Sequence, residues 1–181
     1  MPSKTEQGLS RMGLTRVMVG IAAAGALLAG PAAAEGPRVT PSGLEVPRYV
    51  SLKYAEVNAR NGPDEDHQLL WVYHAKGLPV QVVAETREWR RICDPEGGLA
   101  WVHKRTTDGR RSAMRVQPTN LPLLNAPKDG AKVSAYLKAR SVALLDKCEK
   151  GWCRLRADGS SGWAREGEIW GADPAVQCRK R

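Results

Sequence analysis

The chain has 181 residues, 26% of them charged, with six Trp, four Cys, no Phe and a net charge of +9 at pH 7. A repeat described below divides this length into two units of about 50 to 65 residues, so one large core is excluded. The basic balance would point to nucleic acid in a cytosolic protein, but the N-terminus argues for another compartment, where the polyanions are those of the cell envelope.

Lys4, Arg11 and Arg16 precede an apolar run from Val17 to Gly30, and Ala32-Ala33-Ala34 follows it. This is the layout of a cleaved secretory signal peptide over residues 1–34, with cleavage near Ala34-Glu35. The run is shorter than the roughly 20 residues that cross a bilayer, so no stable membrane anchor is expected. The mature chain is expected in the periplasm or outside the cell. It stays basic after losing this segment, through a surface that either binds anions or only aids solubility.

Residues 35–47 carry Pro37, Pro41, Ser42, Gly43 and Pro47 without apolar periodicity and read as an extended leader. A first module is expected over 48–117. Short β-prone runs lie at Tyr49 to Lys53, Tyr54 to Arg60, Leu69 to Ala75, Pro79 to Thr86, Trp89 to Asp94 and Leu99 to Lys104, separated by connections of hairpin length. Arg111 to Val116 is a further candidate strand, read as closing the first barrel. Gln117 to Pro122 is the linker, and a second module is expected over 118–172, with strands at Lys132 to Lys138, Ser141 to Cys148, Trp152 to Arg156 and Gly162 to Arg165. The polar tail, 173–181, is expected to be disordered if Cys178 is unpaired.

The two modules repeat one pattern. Trp89 to Val102, WRRICDPEGGLAWV, returns in degraded form as Trp152 to Arg165, WCRLRADGSSGWAR, and Asn61-Gly62-Pro63 stands before the first copy much as Asn125-Ala126-Pro127 stands before the second. Strand parity then constrains the tryptophans. Ile92 and Leu155 each lie three residues after a Trp, so if they fill the cores, Trp89 and Trp152 face away from them. Such an indole covers a sheet edge, packs against the other module or lines a groove.

An oxidising compartment lets all four cysteines pair. Three pairings are possible, and spacing alone does not choose among them. The preferred set is Cys148 with Cys153, which flank a four-residue connection suited to a hairpin, and by subtraction Cys93 with Cys178. His67, His74 and His103 are scattered and no close Cys pair has ligand spacing, so neither a metal nor another cofactor is expected. Cys93 with His103 or His74 is the sole combination resembling a thiol dyad, and an exported Cys with three potential partners is better read as oxidised. No catalytic residue is therefore assigned.

VNARNGP (Val57 to Pro63), WVYHAKGLPVQVVAE (Trp71 to Glu85), WRRICD (Trp89 to Asp94) and AWVH (Ala100 to His103) together resemble the bacterial SH3-like (SH3b) domain in its exported alphaproteobacterial form. NAP, CEKGWCRL, GSSGWA and EIWG make the second copy similar to a shorter, more diverged unit. The resemblance implies an all-β chain of two tandem small barrels without catalysis, of a kind that binds peptidoglycan or its peptide stems. Ala100 stands where Gly commonly precedes the second Trp, and Pro95 to Gly98 is one residue longer than usual, which leaves that turn open.

The expected ligand groove lies beside the loop Asn61 to His67, lined by Tyr54, Trp71, Tyr73, Trp89 and Trp101, with Arg90 or Arg91 meeting carboxylates. Peptidoglycan or envelope proteins are the expected partners. The alternatives are an assembly module of the envelope without a small ligand, or a basic surface for anionic lipid.

Overall fold

The computed structural model describes residues 38–178. The signal peptide expected over 1–34, the start of the leader at 35–37 and the tail end at 179–181 lie outside the described residues. The described chain is all-β, and none of its helices is long and apolar enough to cross a membrane.

Strands β1 (Arg38–Val39) and β2 (Glu45–Val46) form a small ladder of their own. The first large sheet holds β3 (Arg48–Leu52), β4 (Val57–Arg60), β5 (Leu69–Tyr73), β6 (Pro79–Glu85), β7 (Trp89–Cys93), β8 (Leu99–His103) and β9 (Thr107–Asp108), in the order β5-β4-β8-β7-β6-β3-β9. The second holds β10 (Ser112–Met114), β11 (Leu121–Leu124), β12 (Val133–Leu137), β13 (Val142–Glu149), β14 (Trp152–Ala157) and β15 (Ser160–Arg165), in the order β10-β13-β14-β15-β11-β12. The five strands β4 to β8 therefore recur as β11 to β15 with the same neighbours, and β10 stands against β13 as β3 stands against β6.

Each sheet curls around its own aliphatic core. Val50, Leu52, Val57, Val80, Val82, Ile92 and Val102 fill the first, and Leu121, Leu123, Leu137, Leu145 and Leu155 the second. Ile92 and Leu155 are fully buried, as parity requires of residues opposite the tryptophans.

Two expectations are corrected. The stretch read as an extended leader folds back instead: Thr40 and Ser42 donate hydroxyl hydrogen bonds to the Glu85 carboxylate, and Val46 enters the first core. Prolines and a glycine that exclude a regular strand are compatible with this tight return. The strand at Ser112–Met114 does not close the first barrel but pairs with β13 of the second sheet. Its alternation explains this placement, since Ala113 is buried in the second core while Met114 packs against the first.

That strand is part of a joint between the modules. Ser112 Oγ donates to Gly77 O at 2.7 Å and lies 2.6 Å from Ser51 Oγ. Trp170 Nε1 donates to Pro79 O at 3.0 Å, and its ring meets Tyr49 edge-on at 5.8 Å. The tail is held as well. Gln81 is fully buried and treats the tail as a neighbouring strand, donating to Ala175 O and accepting from the Gln177 amide. Cys178 then bonds Cys93, and Cys148 bonds Cys153. In the second pair the cysteines face each other across a hairpin whose turn, Lys150-Gly151, has both residues at positive φ.

Candidate functional site

The outward face of each module follows from alternation in its central hairpin. In β7 and β8, Ile92, Ala100 and Val102 point inward, which leaves Trp89, Arg91, Trp101 and His103 outside. Register pairs Trp89 with His103 and Arg91 with Trp101, so indoles and cationic or ionisable groups alternate like a checkerboard. The second module repeats it, with Trp152 opposite Arg165 and Arg154 opposite Trp163.

Burial separates the tryptophans on these faces. Trp89, Trp152 and Trp163 keep 8%, 6% and 8% of their surface. Arg165 lies over the Trp152 ring at 4.1 Å, Lys147 lies 5.3 Å from the Trp163 centroid, and His103 packs against Trp89 at 5.2 Å. Asp129, on the loop after β11, pairs with Arg165 and holds that guanidinium in place. These indoles therefore cover their own sheets beneath basic or imidazole side chains, and only Trp170 packs in the joint.

Trp101 is different, because it is half-buried and stands in a row across four strands. Arg91 of β7 faces it on one side and Arg60 of β4 on the other, and Arg60 in turn faces Leu69 of β5. Leu69 and Leu70 are 44% and 40% exposed. A partly open indole on a strand between two arginine positions, with an aliphatic shoulder beyond, offers area for a chain and charge for carboxylates, Arg60 also donating to His67 O at 2.8 Å.

The other residues expected in the groove lie elsewhere. Trp71 and Tyr73 meet edge-on at 5.9 Å on the inner side of β5, and the Tyr73 hydroxyl donates to Asp94 Oδ2 at 2.9 Å. Burial first, and then that carboxylate, push the Tyr73 phenol far above its usual range. Arg90 shares the parity of Ile92 and is 8% exposed, with its guanidinium on Glu85 and Thr107. Tyr54 is exposed beside Lys53, outside the Trp101 row. The structure thus joins Arg91 with Trp101 and Trp71 with Tyr73, and separates these pairs from each other.

The loop left open by the sequence is organised by Asp94. Its Oδ1 accepts from the amides of Glu96 and Gly98, Gly97 takes φ +86°, and a Cβ at Gly98 would collide with the Asp94 carboxylate. At the loop Asn61 to His67, the His67 ring occupies the space where a Gly62 Cβ would stand. The same His67 hydrogen-bonds Asp64 and holds its carboxyl below the usual range. Sequence reasoning missed Arg60 and Leu69. Arg60 stood in VNARNGP and Leu69 at the start of the next β-prone run, but the β-bulge at Ala59/Arg60 shifts the parity that would have put them on one face.

For chemistry, Cys93 is in a disulfide and offers no thiol, and among the described residues no three metal-ligating side chains converge.

Two antiparallel barrels in tandem, each with a Trp-cation face on its central hairpin, define an SH3-like repeat protein. The chain belongs to the family described as Bacterial SH3 domain, which matches residues 53–109 and again 117–171. No curated protein matches the chain in sequence. Among solved structures it is similar to NlpC2 from Trichomonas vaginalis, at 15% identity and a TM-score of 0.31, over 69% of this chain and 48% of that one. It is also similar to NlpC1 from the same organism, at 15% identity and a TM-score of 0.31, over 68% and 45%. The chain spans about half the length of these structures.

Proposed function

We propose that this chain is a non-catalytic exported binding module that recognises cell-wall peptidoglycan or peptide segments in the periplasm. The observation that carries the reading is Trp101, half-buried between Arg91 and Arg60, on a module of the bacterial SH3 family. The indole supplies contact area and the guanidiniums supply bidentate partners for the carboxylates of a peptide. Two disulfides suit an oxidising compartment.

The test is retention of the disulfide-bonded protein on purified peptidoglycan sacculi at low and moderate salt. Retention at moderate salt that is lost in Trp101→Ala and weakened in Arg91→Ala supports the reading. Absence of retention at either salt sinks it and favours envelope protein assembly. The surface for that second role is the edge strand β12, where Val133 and Tyr136 are 47% and 64% exposed.

A further inference from the structure

A cavity of about 630 Å³ lies in the angle between the modules and shares no residue with the Trp101 row. The end of β3, the turn at Lys76-Gly77 and the connection through Arg110 form one side, and the start of β13 with the β14–β15 turn forms the other. Neither module builds it alone.

Its lining mixes both signs of charge, with cations in excess. Lys53, Lys76, Arg110 and Arg156 line it, and so do Asp108 and Asp158. Arg156 is held by Asp146 at 2.9 Å, whereas Lys53, Lys76 and Arg110 make no ion pair among the described residues. Three cations without acidic partners therefore border a recess whose apolar lining comes from Val142, Leu144 and Ala157.

The recess is also preformed. Ser51 and Ser112, both buried, line it, and their hydroxyls tie β3 and β10 to the carbonyls of Arg110 and Gly77. The Trp170 contact and the Cys93–Cys178 bond clamp the same two modules, so a ligand would meet fixed walls and little ordering cost. The volume falls within the range of small-ligand sites.

We infer that this inter-module cleft is a second binding site, for a short acidic peptide whose carboxylates sit on Lys53, Lys76 and Arg110. Discrete carboxylates on a short chain suit three cations contributed by different segments, the end of β3, the Lys76-Gly77 turn and the Arg110 connection, and the apolar lining offers contact to the chain. A continuous polyphosphate or nucleic-acid backbone would instead be driven against Asp108 and Asp158, which discriminates against it. The inference does not depend on the Trp101 reading, since no residue is shared.

The test is titration of the ¹⁵N-labelled, disulfide-bonded protein with acetyl-Glu-Gly-Glu-Gly, with acetyl-Gln-Gly-Gln-Gly as control. Amide shifts are expected at Gly77, Ser112 and Gly159 with the Glu peptide and not with the Gln peptide. The double variant Lys76→Ala/Arg110→Ala removes two exposed, unpaired cations and should weaken binding at least about tenfold, the loss of one charge-assisted contact or more. Its unliganded spectrum should match wild type elsewhere, and Trp101→Ala should leave the peptide-induced shifts at Gly77, Ser112 and Gly159 unchanged. Shifts confined to the Trp101 row, equal shifts with both peptides, tighter binding of polyphosphate, or no shift at millimolar peptide would each overturn the inference.

Discussion

Glu85→Gln should be among the most damaging single-atom changes in the molecule. The Glu85 side chain is fully buried and takes hydrogen bonds from Thr40, Ser42, Arg48 at 2.8 Å and Arg90 at 3.0 Å, with Lys104 at 3.8 Å. The Arg48 and Arg90 side chains are only 16% and 10% exposed, so neutralising their shared anion strands two poorly solvated guanidiniums. Breaking a buried pair in this way costs about 3–5 kcal/mol, and the retained amide oxygen places the expected loss near the lower end. For a chain of this size that is a fall of about 6 to 12 °C in Tm. The measurements are thermal unfolding at neutral pH and hydrogen exchange of the amides from Thr40 to Val46, which should lose protection as the hairpin detaches. A loss under about 1 kcal/mol with the hairpin still protected would refute the reasoning.

The pH dependence of this pair has a definite sign. Burial alone would raise the Glu85 carboxyl, but the hydrogen bonds from Ser42, Thr40, Arg48 and Arg90 outweigh it and hold the group well below its ordinary value of 4.5. A depressed native value means that the stabilisation is complete above the unfolded-chain value and is lost as the pH falls below it toward the native one. Wild type and Glu85→Gln should therefore differ by a constant amount from about pH 6 to 8 and converge only in acid.

Trp170→Ala removes the indole that bridges Tyr49 and Pro79 and leaves the Pro79 carbonyl without its donor, so a loss of about 3 kcal/mol and a broadened or split melting transition are expected by calorimetry. A single sharp transition at the wild-type Tm would show that the joint contributes nothing. Serine replacement of Cys93 and Cys178 should cost about 4 kcal/mol and of Cys148 and Cys153 about 2, because the sequence separations are 85 and 5; denaturant midpoints decide the order. Trp89→Ala should destabilise by about 3 kcal/mol or more, as its ring is nearly buried, whereas Trp101→Ala should cost about 1 and act on sacculus binding instead. Equal losses of stability would remove the distinction between covered and open tryptophans.

The repeat in the sequence determined the architecture: two small β modules, cores around Ile92 and Leu155, and tryptophans turned away from those cores, with a hairpin that favours pairing Cys148 with Cys153. These follow from local rules, because alternation sets the side-chain faces and a two-residue turn sets the register opposite Cys148 and Cys153. What covers an outward tryptophan is not local. Arg165 reaches Trp152 from the next strand and is steered by Asp129 on a distant loop, so the decision between open and covered indoles came only with the assembled sheet. Arg90 shares the parity of Ile92, so its inward direction was legible in the sequence, but the partner that holds it there, Glu85, came only with the pairing of β6 and β7 through a bulge. The allegiance of Ser112–Met114 and the folding back of residues 38–46 were likewise settled by partners far along the chain, Val142 to Leu144 for one and Glu85 for the other. A strand's pattern says which of its faces is apolar, but its neighbour is chosen by the free energy of the whole assembly, and that is why the inter-module cleft had no signature in the sequence.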